Sequence, residues 1–148
     1  GRDGEAPMVI RLPSLRDEAF TIADHLRAAH QQGHAWGDMA ILCRDWSTMD
    51  LCADALEQRR LPHAVHKKAG TFMPGADVIQ IMTMKVSKGL EFPVVALPGA
   101  GHMPGAGEDE TEAARVLYVA ATRATHKLLI TLSGDGGLGQ RLVERVAA

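Results

Sequence analysis

Residues 78–99 read VIQIMTMKVSKGLEFPVVALPG and, after an acidic spacer, residues 112–133 read EAARVLYVAATRATHKLLITLS. The first block predicts two strands, Val78–Met82 and Val94–Leu97, joined by a polar loop. The second predicts a helix over Glu112–Arg123 and a strand over Lys127–Leu132. Thr83, Ser87, Lys88, Glu91, Thr122 and Arg123 fall where these apolar runs end. Ligands of open parallel α/β sheets bind at the carboxyl ends of the strands, so these residues are expected to line half of a ligand cleft.

Outward from this stretch the same alternation holds. Met8–Leu12 and Met39–Cys43 predict strands, and His63–His66 a short one. Ser14 is placed as the N-cap of a helix with Asp17 and Glu18 in its first turn and Leu15, Ala19, Ile22, Ala23 and Leu26 on one face. Gly33 ends that helix. Further helices are expected over Thr48–Arg60 and Gln140–Ala147, with a loop over Lys67–Asp77. Strands alternating with helices predict a three-layer α/β domain with a mainly parallel sheet. Residues 1–7 are expected to be a disordered leader and residues 8–148 one domain.

The chain has 148 residues, 46% hydrophobic and 23% charged, with a net charge of −2. That suits one soluble domain and gives no sign of a large basic face, so strong autonomous nucleic-acid binding is not expected, while weak or partner-assisted binding stays open. Two cysteines make no disulfide framework, and Cys43 and Cys52 read as buried thiols. No apolar run approaches the roughly 18 residues of a membrane span, and no signal peptide is present, so no membrane contact and a cytoplasmic location are expected. Gly1 stands where an initiator Met would, which suggests a piece of a longer protein.

Several chemistries fail on spacing. G-x-x-x-x-G-K-[ST] is absent, and the acids Glu108, Asp109 and Glu110 follow glycines rather than an apolar strand, so the chain has neither part of an NTP-hydrolysing core. GDGGLG at 134–139 matches a dinucleotide fingerprint, but the chain ends nine residues later, and it reads as a flexible turn. His25, His30 and His34 lack metal-site spacing and read as surface or helix-end residues; no metal site is expected.

TMKVSKGLEFPVV (83–95) resembles motif V of UvrD/Rep-type superfamily 1 DNA helicases, and EAARVLYVAATRATHKLLIT (112–131) resembles their motif VI. WGDMAILCRD (36–45), followed by RRLPHAV, resembles motif IV. Residues 8–148 are thereby similar to the second RecA-like lobe of a helicase motor, lacking its own P-loop. The first lobe would carry the P-loop and the Walker B carboxylate. Only Lys67–Asp77 stands where many members carry an inserted subdomain, so the resemblance is to the compact form or to a chain from which the insertion was removed.

The resemblance implies site roles. Arg123 matches the motif VI arginine that reaches the γ-phosphate as an arginine finger; without the motif it would read as a helix-end Arg bonding the last carbonyls. Arg44 matches a motif IV arginine, a second γ-phosphate contact, and Cys43 stands where a Tyr often stacks on adenine. Glu91 matches the ribose-binding carboxylate, with Gly89 turning the backbone beside it. Thr83, Lys85, Ser87 and Lys88 match the loop facing the DNA backbone. ATP and Mg2+ are the implied cofactors, the ion held by the missing lobe. The implied partners are single-stranded DNA and an N-terminal RecA-like lobe of the same polypeptide, the fragment itself being a monomer. The activity implied is that of a 3′–5′ helicase or translocase. The other class is a RecA-like scaffold or nucleic-acid adaptor without motor activity.

Overall fold

The structure is a computed structural model that describes residues 5–68, 70, 72–73 and 75–147. Residues 1–4 of the expected leader lie outside the described residues, and 5–7 have no regular structure. The elements are β1 (Met8–Arg11), α1 (Leu15–Gln31), β2 (Met39–Cys43), α2 (Trp46–Gln58), β3 (His63–His66), β4 (Ile79–Thr83), β5 (Phe92–Leu97), α3 (Glu110–Ala121), β6 (Ala124–Leu132) and α4 (Gly137–Ala147). The six strands form one sheet in the order β1-β6-β5-β2-β4-β3, every neighbouring pair parallel. Among the described residues no helix is long and apolar enough to cross a membrane.

Strand pleating divides the core. Ala40 and Leu42 of β2 point to the face covered by α3 and α4, with Leu97, Leu117, Leu128, Ile130 and Leu142. Met39, Ile41 and Cys43 point to the face covered by α1 and α2, with Ile22, Leu26, Met49 and Leu56. Burial on both faces explains why β2 reads apolar throughout. Cys43 and Cys52 share the second face, both buried and free. Burial pushes the Cys43 thiol up, and its neighbour Cys52 pushes it further.

Caps set the helix starts. Ser14 Oγ accepts from Asp17 N at 3.1 Å, as expected. Asp45 Oδ1 accepts from Thr48 N at 2.8 Å, so α2 opens at Trp46, two residues before the predicted start. Asp109 does the same for Glu112 and opens α3 at Glu110. β6 also starts earlier than predicted, because Ala124 pairs with Phe92. Between Phe92 and Val94 the β5–β6 register slips; Pro93, with no N–H to give, sits in the irregularity.

The 134–139 segment is not a loose turn. A Cβ on Gly136 would fall 2.6 Å from Gly101 O, and one on Gly139 2.8 Å from Ala100 O. These glycines let α4 lie against the 100–103 turn, and α4 begins at Gly137 instead of Gln140. A buried carboxylate holds the same corner. Glu18 is fully buried and accepts from Gly99 N at 2.9 Å, from Thr131 Oγ1 at 2.7 Å and from Ser133 Oγ. It ties α1 to the ends of β5 and β6. Its removal strands three buried donors. Glu18→Ala should therefore lower stability by about 2–3 kcal/mol, read by urea denaturation; a loss below about 0.5 kcal/mol would show the donors finding other partners.

Candidate functional site

The segment from Thr83 to Glu91 crosses the sheet from its carboxyl edge to its amino edge. It folds tightly on itself. Val86 N donates to Thr83 Oγ1 at 3.3 Å, Ser87 N to Thr83 O at 3.2 Å and Leu90 N to Ser87 O at 2.9 Å. Gly89 takes φ +81°, which favours glycine. Ser87 is fully buried, and its hydroxyl donates to Met84 O at 2.6 Å. The Ser87 hydroxyl, expected to face DNA, pins the loop from inside. Thr83 is half-buried, and its oxygen is engaged by the turn. Lys85 and Lys88 are exposed; Lys88 N donates to Lys85 O at 3.3 Å, and among the described residues their ammonium groups make no hydrogen bond or ion pair.

The amino edge gathers Gly89, Glu91 and Arg123. Phe92 N donates to Arg123 O at 2.9 Å, so Glu91 and Arg123 stand side by side ahead of paired strands. The Arg123 guanidinium is half-buried. Its Nε donates to Val119 O and its Nη1 to Leu90 O, each at 3.2 Å, and its Nη2 to Thr122 Oγ1 at 3.2 Å. It thus caps the α3 carboxyl end, the structural role that a helix-end Arg takes. Two of its five N–H groups remain for an external anion. Glu91 is exposed and makes no hydrogen bond or ion pair among the described residues, leaving its acceptor sites open to a diol.

Arg44, expected to share a phosphate with Arg123, stands at the opposite edge of the sheet. It follows β2, while Arg123 precedes β6, and all the strands run the same way. The β2–β5 register aligns Ile41 with Ala96, so Arg44 stands level with Gly99. A Cβ on Gly99 would in fact lie 3.8 Å from Arg44 Cδ. Glu91 is eight residues earlier on that line, roughly 26 Å away. The same geometry overturns the expectation that all the charged residues meet at the carboxyl ends. Cys43, expected where an adenine stacks, is buried in the core.

At the carboxyl edge a cleft of about 530 Å³ is bordered by Arg44, Asp45, Trp46, Thr83, Lys85 and Glu112. Burial raises the Asp45 carboxyl, but the Thr48 hydroxyl and amide, then Arg44 and His102, outweigh it and hold the group below its ordinary 3.8. Trp46 was missed in the sequence; an aromatic residue in the first turn of a helix that faces a basic strand end was the available signal. Glu18 was missed as a core group, although it lies four residues before Ile22 on the buried face. Among the described residues no cluster of His, Cys, Asp and Glu suits a metal ion. His66 is buried against Gln80, and His30 stacks on Trp36.

The C-terminal domain of a "possible DNA helicase" from Lactobacillus plantarum WCFS1 superposes with a TM-score of 0.75 at 20% identity, over 97% of this chain and 84% of that one. The C-terminal domain of the DEAD-box protein Dbp5 gives 0.58 at 10% identity, over 95% and 83%. Arterivirus nonstructural protein 10, a helicase solved in complex with DNA, gives 0.56 at 16% identity, over 92% of this chain and 33% of that one. The fold is therefore that of the RecA-like C-terminal domain of helicases. The model of the UvrD-like helicase C-terminal domain family matches residues 71–135, which hold β4 to β6 and the amino-edge trio but not Arg44. No curated protein matches the sequence.

Two outcomes follow from the site. Ser87→Ala should cost about 1 kcal/mol of stability and leave single-stranded DNA affinity unchanged, read by urea denaturation and fluorescence anisotropy. For Asp45 the folded-state carboxyl is depressed, so its stabilisation is present above the ordinary value and lost as pH falls through the folded value. Wild type should exceed Asp45→Asn in stability at neutral pH by a small margin, since the carboxyl is partly exposed. Denaturation across pH should show that margin vanish below 3.8.

Proposed function

We propose that this chain is the second RecA-like lobe of an ATP-dependent DNA helicase or translocase of the UvrD type, moving 3′ to 5′ on single-stranded DNA. The observation that carries the reading is the amino-edge trio: a left-handed Gly89, an open Glu91 carboxylate and the Arg123 guanidinium, within the segment that matches the helicase family. A neighbouring N-terminal lobe would supply the P-loop and hold Mg2+. The nucleotide supplies the phosphoryl group that is transferred. Glu91 accepts from the ribose hydroxyls and orients the sugar. Arg123 turns its two open N–H groups to the γ-phosphate and stabilises the charge that spreads over its oxygens. Arg44, Lys85 and Thr83 belong to the opposite edge and serve the DNA backbone, positioning it without reading sequence.

In the protein containing both lobes, Arg123→Ala should lower ATP turnover by about 10³-fold or more at saturating single-stranded DNA. Arg123→Lys should restore little, because an ammonium lacks the planar fork. Glu91→Ala should raise KM for ATP more than it lowers kcat. Arg44→Ala should leave turnover at saturating DNA near wild type. Near-wild-type turnover by Arg123→Ala would show that Arg123 is not the finger, and an absence of DNA-stimulated turnover in the wild-type two-lobe protein would favour the scaffold or adaptor reading.

A further inference from the structure

Trp46 is 54% exposed, although it opens a helix whose next apolar residues are buried. The chain's other tryptophan, Trp36, is stacked on His30. An indole left in water forgoes most of the burial that usually justifies one, and any polar residue would serve a solvated helix start. Its surroundings are selective. Lys67 Nζ stands over one face of the ring, 5.1 Å from its centroid and 3.9 Å from Asp50 Oδ1, and Arg44 Nε lies 3.7 Å from Asp45 Oδ2. Trp46 borders the carboxyl-edge cleft together with Arg44, Thr83 and Lys85. The acids on the other wall are engaged within the chain. Glu108 accepts from Gly105 N, Asp109 from Glu112 N, and Glu112 pairs with Arg115 at 2.9 Å. An exposed aromatic plane beside three cations, opposite an acidic wall, suits a polymer with flat bases and an anionic backbone that must stay on one side.

We propose that Trp46 is a base-stacking platform for single-stranded DNA, with Lys67, Arg44 and Lys85 taking the adjoining phosphates. This deepens the motor reading and rests on it for the identity of the strand. A stacking platform holds any base, since every base offers a π-face, and so suits a strand bound without sequence readout. It also gives the carboxyl edge a grip that a net charge of −2 cannot provide by electrostatics alone.

The test uses the chain with Trp36→Phe, so that Trp46 is the sole tryptophan, titrated at low salt with oligo(dT) and with an abasic strand of the same length. Oligo(dT) should quench the Trp46 emission and the abasic strand should not. Trp46→Ala should weaken oligo(dT) binding by about 5- to 150-fold, Trp46→Phe should recover most of the loss, and abasic-strand affinity should be the same with and without the indole. Unchanged emission at saturating oligo(dT), wild-type affinity in Trp46→Ala, or equal losses for both strands would overturn the proposal. The last result would mark Trp46 as a structural residue or as cover for a neighbouring domain. In the two-lobe protein, Trp46→Ala should raise the DNA concentration needed for half-maximal ATP turnover while sparing kcat. Failure here with the Arg123 result intact leaves the motor standing. Quenching by oligo(dT) with an inert Arg123 would mean a DNA-binding lobe whose Arg123 is not the finger.

Discussion

The pairing of β5 with β6 is the interaction on which the rest depends. It begins at the hydrogen bond from Phe92 N to Arg123 O, 2.9 Å long, and runs to Leu97 and Ile130. This bond joins two segments separated by a turn, an acidic stretch and a whole helix. It sets Glu91 beside Arg123 before any side chain chooses a direction. The slip at Pro93 follows at once, so the pairing is regular only deeper in the sheet, where both strands are buried. A residue placed just ahead of such a pair is held by two strands yet remains at the surface.

Parallel strand direction then divides the molecule's chemistry. Every strand runs the same way, so residues that follow strands and residues that precede them occupy opposite edges. Arg44 and Thr83 are of the first kind, Glu91 and Arg123 of the second. The Thr83–Glu91 segment is the short covalent link between the edges, and its internal hydrogen bonds make it stiff. Ser87 matters here because it is buried: a hydroxyl turned inward to Met84 O keeps the segment compact.

The carboxyl edge needs its own anchor, because helices, turns and a strand end converge there. Glu18 supplies it. A buried carboxylate with three donors is stable only when all are in place, so α1, the Gly99 turn and the end of β6 are specified together. The close glycine contacts of 134–139 with the 100–103 turn extend the same corner. A spacing that resembles a phosphate cradle is here a consequence of backbone packing.

Much of this was legible in the sequence. Apolar runs alternating with helical faces determined six strands, a parallel sheet and the buried thiols, because side-chain period and burial are local properties. The motif segments around Gly89, Glu91 and Arg123 singled out these residues for the same reason, each being a contiguous run, but the reading set them at the carboxyl ends, and only the strand pairing places them at the amino edge. Even the separation of Arg44 from Arg123 was implicit, since one follows its strand and the other precedes its own. What only the tertiary structure decided was which residues meet. β2 pairs with β4 and β5, strands that come some forty to fifty residues later, and no local pattern encodes that order. Burial of the Ser87 hydroxyl, convergence of three donors on Glu18, and the exposure of Trp46 beside Lys67 all depend on such distant contacts. Residue types and spacing state what a side chain can do, and only the packed chain determines what it touches.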